Sequence, residues 1–391
     1  MKEIKDFIRK EFFLLFVICT SLINPYFYGY RIIALLGIYL VVNLKKSLQS
    51  VDLFVIMLGL FSLVFEVLGY FNSEEGGSTN IITNVFNVFS PVLVYLSAKV
   101  VSSKNYPTAV YAFLLFMISF SFSIIPILSV LKQISENSFL VGSRSMYLIW
   151  NQNLEISATG LGVYFTFNMA SISLLFSNKK SKIEKGISIG IIVLFLLSLV
   201  CVLRLGSRTQ LFISFLCICI ICLKNFKYYQ HYKRIIFTFS LILLIGFISR
   251  FISNNEEILF FFSDRIGSDE NGFATAGGRL DRWVGSLSSL FTDPLGWPLS
   301  RFGYAHNLWL DVARVGGLLP FLILSVFSFL LVIFFYKNIF LHTSSFLRDY
   351  FIAIWVSILV VFMVEPILDG MYLFFLIHCF AAGLIVKQKS I

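Results

Sequence analysis

Ten arginines and one lysine stand apart from the other basic residues of this chain, and they include the side chains best able to do chemistry. Arg279, Arg282 and Arg301 lie in the stretch from Gly277 to Gly317, GGRLDRWVGSLSSLFTDPLGWPLSRFGYAHNLWLDVARVGG. It is the largest polar interruption between long apolar runs. His306 and Asn307 follow, at the start of an apolar helix that carries Asp311 and Arg314. Upstream, Arg204 and Arg208 bracket Gly206-Ser207 at the junction of two apolar runs. Guanidinium is planar, forked and weakly hydrated, which suits bidentate recognition of phosphate or carboxylate. The histidine can serve as acid, base or hydrogen-bond donor near neutral pH. Asp311 and Arg314 are three residues apart, so an ion pair on one helix face is expected. Glu365 and Asp369, flanking Pro366, are candidate bases or sugar ligands.

The elements that must position these groups are membrane helices. The chain has 391 residues, 58% hydrophobic and 13% charged, with mean hydropathy +0.86. A soluble domain is about 45–50% apolar and about 25% charged. A spanning helix needs roughly 20 mostly apolar residues. Twelve such runs are expected, at 11–27, 31–44, 51–70, 83–101, 108–131, 156–177, 186–203, 209–223, 235–250, 306–336, 350–366 and 370–386. The first two could instead form a re-entrant hairpin. The fold class is therefore an all-α polytopic membrane protein, a single transmembrane domain over 1–391, with a large outer loop at 251–305 between the ninth and tenth helices. The N-terminus reads as a basic flank followed by a spanning helix rather than a cleaved signal peptide.

Charge supports this layout. With the N-terminus inside, the inner segments hold 20 of the 31 basic residues, and 17 of those are lysines. Such alternation follows the positive-inside rule and puts both termini in the cytoplasm. It also accounts for most of the net charge of +10 without a nucleic-acid partner. The other eleven basics, Arg31, Lys132, Arg144, Arg204, Arg208, Arg250, Arg265, Arg279, Arg282, Arg301 and Arg314, fall at or near the outer surface. Topology does not require arginine there, since lysine serves equally.

Several function classes drop out. The inner loops are too short for a nucleotide-binding domain, and no Walker or dinucleotide glycine pattern is present. ATP drive and a cytoplasmic nucleotide-sugar donor are therefore not expected. The six cysteines lie in apolar runs without metal or disulfide spacing. Neither a metal nor another cofactor is expected. Within the outer loop, Leu280, Trp283, Val284, Leu287, Leu290 and Phe291 recur at helical spacing, which predicts an amphipathic helix in the membrane interface. Arg279 and Arg282 fall in its first turn, where free N–H groups favour an anion. His378 reads as a packing residue of the last helix.

Four short motifs occur in order. They are Gly206-Ser207-Arg208, Gly278-Arg279 with Trp283, Asp293-Pro294-Leu295-Gly296, and Ala305-His306-Asn307 with Asp311 and Gly316. Together they resemble the O-antigen polymerase and O-antigen ligase family; Trp297 stands where a second glycine often follows in that family. The resemblance implies a metal-independent, inverting glycosyltransferase of the bacterial cytoplasmic membrane. It assigns diphosphate binding to Arg208 and Arg279 and puts His306 beside the reaction centre. Arg282, Arg204 and Arg301 take a supporting role, with Asn307, Asp311 and Arg314 as further substrate contacts. The implied donor is an undecaprenyl-diphosphate-linked oligosaccharide, with a chain-length regulator and a flippase as partners in the bilayer. A polymerase is the expected activity. The alternatives are a ligase that transfers the glycan to lipid A core, and a lipid-linked sugar flippase. Transporters usually show repeated halves and midplane polar sites, whereas here the polar residues concentrate in one loop.

Single cysteines at positions 230 and 270, in an otherwise cysteine-free chain, test the orientation. An impermeant maleimide should label position 270 in intact cells and position 230 only after permeabilisation. The reverse pattern overturns it.

Overall fold

The computed structural model describes residues 2–24, 31–72, 81–137, 145–149, 151–177, 181–226, 279–342 and 345–386. The expected span at 235–250 and the first half of the expected loop, with Arg144, Arg250 and Arg265, lie outside the described residues.

The described chain is almost entirely helical. It runs α1 (Lys2–Ile23), α2 (Arg31–Val42), α3 (Leu44–Leu48), α4 (Leu53–Asn72), α5 (Ile81–Ser102) and α6 (Thr108–Asn137). A two-stranded antiparallel hairpin follows, β1 (Met146–Leu148) with β2 (Asn151–Ile156). Then come α7 (Ala158–Ser171), α8 (Lys182–Leu205), α9 (Arg208–Asn225), α10 (Arg279–Thr292), α11 (Leu299–Phe302) and α12 (Leu308–Gly316). The last are α13 (Leu318–Phe335), α14 (Phe346–Val364), α15 (Ile367–Gly370) and α16 (Tyr372–Val386).

Eight of these helices, α7 taken with the 3₁₀ turns Ile172–Phe176 that continue it, are long and apolar enough to cross a membrane, which makes this a multi-pass membrane protein. The expected spans differ in two ways. At 1.5 Å per residue the 12 residues of α2 extend only about 18 Å, against about 30 Å of hydrocarbon, and α16 is short as well. The run expected at 306–336 is two helices broken at Gly317. Gly317 has φ +77°, and a Cβ there would meet the carbonyl oxygen of Pro294 and the backbone of Leu295. The hairpin lies between α6 and α7, and its Met146 and Leu148 are buried with Ile127 and Val130.

Polarity is arranged as hydrocarbon requires. Along α8 the side chains of Ile189, Val193, Leu196, Val200 and Leu203 are exposed, while Ser198 is fully buried. Asn168 Nδ2 donates to Ser123 Oγ at 2.8 Å and to Ser198 Oγ at 2.9 Å, joining α6, α7 and α8. Small polar side chains bridge helices where apolar ones face lipid. Three of the lysines at the lysine-rich end are paired inside the protein. Lys104 meets Glu11 at 2.5 Å, Lys99 meets Asp52 at 2.6 Å and Lys224 meets Asp349 at 3.5 Å. Glu11 is fully buried and also accepts hydrogen bonds from Tyr39 and Tyr106. It sits at a kink in α1. His378 packs edge-on to Trp355 and Phe362, as expected of a packing residue.

The helix pair α5 and α16 approaches most closely at Gly383, where a Cβ would collide with the carbonyl oxygen of Tyr95 and lie 2.9 Å from Ala98 Cβ. Gly383→Val should therefore cost about 1–3 kcal/mol through overpacking. The check is the thermal unfolding midpoint of detergent-purified protein. An unchanged midpoint means the two helices are not in close contact.

Candidate functional site

His306 occupies a five-residue link, 303–307, between α11 and α12. Its backbone is left-handed, with φ 53°. That region costs a non-glycine residue about 1–3 kcal/mol unless its surroundings hold it there. Asp311 does so. Its Oδ1 accepts the N–H of Ala305 at 2.8 Å and its Oδ2 accepts the N–H of Asn307 at 3.1 Å. The carboxylate thus grips the backbone on either side of His306. Hydrogen bonds to a charged acceptor contribute about 1.5–3 kcal/mol each, enough to offset the strained backbone. Burial pushes the Asp311 carboxyl up to about 6, against the two N–H groups that favour its charged form. Asn307 caps the next helix, its Oδ1 accepting the N–H of Leu310 at 3.2 Å. Its Nδ2 donates to Met363 Sδ at 3.4 Å, which ties the link to the C-terminal end of α14.

α10 lies alongside α12. Arg282 Nη1 donates to the carbonyl of Tyr304 at 3.3 Å, and Trp283 Nε1 to that of Ala305 at 2.8 Å. At 100° per residue, Arg279, Arg282, Trp283, Ser286, Ser289 and Leu290 share one side of α10. Ser286, Ser289 and Leu290 are buried there, while Leu280, Val284, Leu287 and Phe291 form an exposed stripe on the other side. The expected amphipathic helix is present, and its exposed face is the apolar one.

The turn Asp293-Pro294-Leu295-Gly296 docks on the far end of α12. Trp297 N–H donates to the carbonyl of Arg314 at 2.9 Å, and Leu318 N–H to that of Pro294 at 2.8 Å. Asn72, from the end of α4, donates its carboxamide to the carbonyls of Leu295 and Val315. Trp297 fills the space between α10 and α12, packed with Leu290 and Ala313. α10 is thereby held at both ends, and its first turn is fixed over the His306 link.

The arginines divide by partner. Arg301 pairs with Asp293 at 2.6 Å, and both are partly exposed. Asp293 is held below the usual carboxylate range by its hydrogen bonds to Thr292 and Arg301. Arg314 does not pair with Asp311, contrary to expectation. It pairs with Asp369 at 2.8 Å and lies over the ring of Tyr304, 5.3 Å from the centroid. The reason is that both Asp311 oxygens are taken by backbone N–H groups. By contrast, among the described residues Arg279 and Arg282 have no carboxylate partner. Their charge acts on His306. Burial first, then Arg279 and Arg282, holds the imidazole down at about 4. The histidine is therefore neutral near pH 7, and its Nδ1 is buried without a hydrogen bond among the described residues.

Arg208 begins α9, and Arg204 is buried one turn before it, near the end of α8. Gly206, with φ 61°, and Ser207 close α8 and open α9. α9 runs antiparallel to α14, since Asn225 meets Asp349 at 3.0 Å and Cys217 Sγ lies 3.7 Å from the Ala353 carbonyl. From Cys217 to Arg208 is about 14 Å of helix, and from Ala353 to Met363 about 15 Å. Arg208 thus lies at the same end and depth of the bundle as the Asn307–Met363 contact. The structure gathers His306, Arg279 and Arg282 directly, with Asp311 and Asn307 as supports of the link. It sets Arg301 and Arg314 in ion pairs at the edge. Among the described residues no group of three metal-ligating side chains converges. Sequence reasoning missed Tyr304, Asn72 and the Arg314–Asp369 pair; the last two join residues too far apart in sequence to show as a pattern. Searches with the sequence found no matching family model and no matching curated protein.

The His306 electrostatics give a measurable sign. Positive neighbours disfavour protonation, so removing one raises the imidazole pKa. Carbethoxylation of His306, followed by mass spectrometry, reads the neutral fraction. Wild-type reactivity should stay flat from pH 8 to about 5.5, whereas an unperturbed histidine half-protonates at about 6.5. Arg279→Gln should shift the fall-off toward higher pH. A wild-type half-point near 6.5, or no shift in the variant, refutes the cluster.

Proposed function

We propose that this protein is a membrane glycan polymerase. It transfers a growing glycan from undecaprenyl diphosphate to a lipid-linked repeat unit at the outer face of the bacterial cytoplasmic membrane. The observation that carries the reading is the Arg279–Arg282 pair beside neutral His306, with no carboxylate partner among the described residues. Two guanidinium groups without a carboxylate partner among the described residues suit an anion, and the exposed apolar stripe of α10 suits a ligand with a lipid tail. The family resemblance of the motifs at Arg208, Arg279 and His306 supports the same chemistry.

In the transfer, the acceptor hydroxyl oxygen forms a bond to the anomeric carbon from the face opposite the leaving group. The bond between that carbon and the diphosphate oxygen breaks, and its electron pair stays on the diphosphate. Arg279 and Arg282 stabilise the charge that develops there, with Arg208 joining them from across α14. A preorganised donor of this kind contributes about 10²–10³-fold to the rate. The hydroxyl proton must leave, and neutral His306 can accept it or hold the hydroxyl by a hydrogen bond. Asp311 positions the histidine and does not touch the reacting atoms.

Arg279→Lys keeps the charge and loses the fork. It should lower polymer synthesis by about 10²-fold at normal protein level, because only a fork meets two phosphate oxygens at once. His306→Ala should lose most activity yet still bind the lipid donor. His306→Gln separates the two histidine roles: retained activity means hydrogen bonding, and abolished activity means proton transfer. Full activity is expected in excess EDTA. Near-normal polymer from Arg279→Lys and Arg279→Ala, or EDTA inhibition reversed by magnesium, sinks the proposal. In a deletion strain, a single repeat still attached to its final acceptor marks a polymerase. Polymer retained on the carrier lipid marks a ligase instead.

A further inference from the structure

A second polar cavity opens at the arginine-rich end, beside the His306 site and separate from it. Its volume is about 190 Å³, and it lies between α4, α5, α12, α15 and α16. Glu66, Asn84, Asn87 and Asp369 supply polar groups, while Val315 and the ring of Tyr372 supply apolar wall. Asn87 hydrogen-bonds to Glu66 through its side chain, and its carbonyl accepts the Tyr372 hydroxyl at 2.9 Å. Asp369 gives Oδ2 to Arg314 and keeps Oδ1 as an acceptor. The half-buried Asn84 is part of the same wall.

These groups have no structural task that explains them all. Glu66 lies in a helix otherwise suited to cross the membrane, where an ionisable side chain is costly. A cavity that combines two carboxamides, two carboxylates and an aromatic face matches the chemistry of a sugar ring. Vicinal hydroxyls donate to carboxylate oxygens and exchange donors and acceptors with carboxamides, while ring C–H groups lie on apolar surface. The space suits one ring rather than a chain. The wall residue Val315 is separated from Asn307 by the length of α12, about 12 Å, so the cavity is set back from the transfer point.

We infer that this cavity is a saccharide subsite that holds one neutral or amino sugar of the glycan substrate, behind the residue that reacts at His306. The inference rests on the glycan-transfer reading for its biological role, but the binding it requires stands on the cavity alone.

The test is saturation-transfer NMR on the full-length protein in lipid nanodiscs, with three probes: methyl glucoside, methyl N-acetylglucosaminide and methyl glucuronide. At least one of the first two should receive saturation. Asn84→Leu, which replaces a wall carboxamide by an apolar group, should cut that signal at least fivefold. Glu66→Ala, which removes the carboxyl acceptor, should lower it as well. The unfolding midpoint of each variant checks the fold. If Asn84→Leu does not fold, Glu66→Ala decides alone. No saturation of any sugar, saturation of the glucuronide alone, or a neutral-sugar signal unchanged in the folded variants overturns the subsite. Failure of the polymerase reading shows elsewhere, as normal polymer from Arg279→Lys, and leaves these sugar signals unchanged.

Discussion

Hydrocarbon on the outside leaves the polar groups of this chain with only one another, and the interfacial water at either end, as partners. The consequences are visible at both ends. At the lysine-rich end, Glu11, Asp52 and Asp349 each take a lysine, and the tyrosines around Glu11 use its remaining lone pairs. At the other end, Asp293 and Asp369 take arginines, and Asp311 takes two backbone N–H groups. Removing one partner of a buried pair costs about 3–5 kcal/mol, because the other charge is left stranded. Under that penalty, charges without a carboxylate partner are informative, and among the described residues Arg279 and Arg282 are such charges.

Asp311 shows why the pairing matters for the site. Had it paired with Arg314, as their spacing suggests, nothing would hold the left-handed backbone at His306. By gripping Ala305 and Asn307 it fixes the histidine link and frees Arg314 to reach Asp369. One substitution of partners therefore orders three features: the histidine, the edge ion pair and the wall of the neighbouring cavity. The neutral state of His306 follows from its burial first and then from Arg279 and Arg282 beside it.

How much of this could be read from the sequence depends on range. Apolar runs of membrane length need no partner to be seen, so the helical class was legible from hydropathy alone. The amphipathic period of α10 was legible too, because a 3.6-residue period is a local property, but Trp283 and Leu290 of the expected apolar set lie on the side turned to the rest of the protein. The break at Gly317 was hidden in a continuous apolar run. It is set by the turn at Pro294 and Leu295, which occupies the space that a side chain would need. Asn72 lies 223 residues from Leu295, and Arg314 lies 55 from Asp369, so neither contact leaves a local pattern. The histidine and the arginines of the site could be singled out by type and position. Which of them would remain without a carboxylate partner could not, since that depends on where each aspartate is used.

The placement of Arg279 and Arg282 follows from the two faces of α10. Its exposed stripe of Leu280, Val284, Leu287 and Phe291 suits hydrocarbon, while its buried serines let it lie close against α12. Such a pair of faces suits a helix lying in the membrane interface, as the proposed function requires. Arg279 and Arg282 sit in its first turn, where free N–H groups and the positive end of the helix dipole add to their charge. A lipid-linked diphosphate carries its charge at that same depth and its tail in the bilayer. The ligand would therefore meet the arginines without leaving the membrane, and only its glycan would have to enter the protein. In the proposed reading, the glycan would then continue toward the polar cavity behind α12.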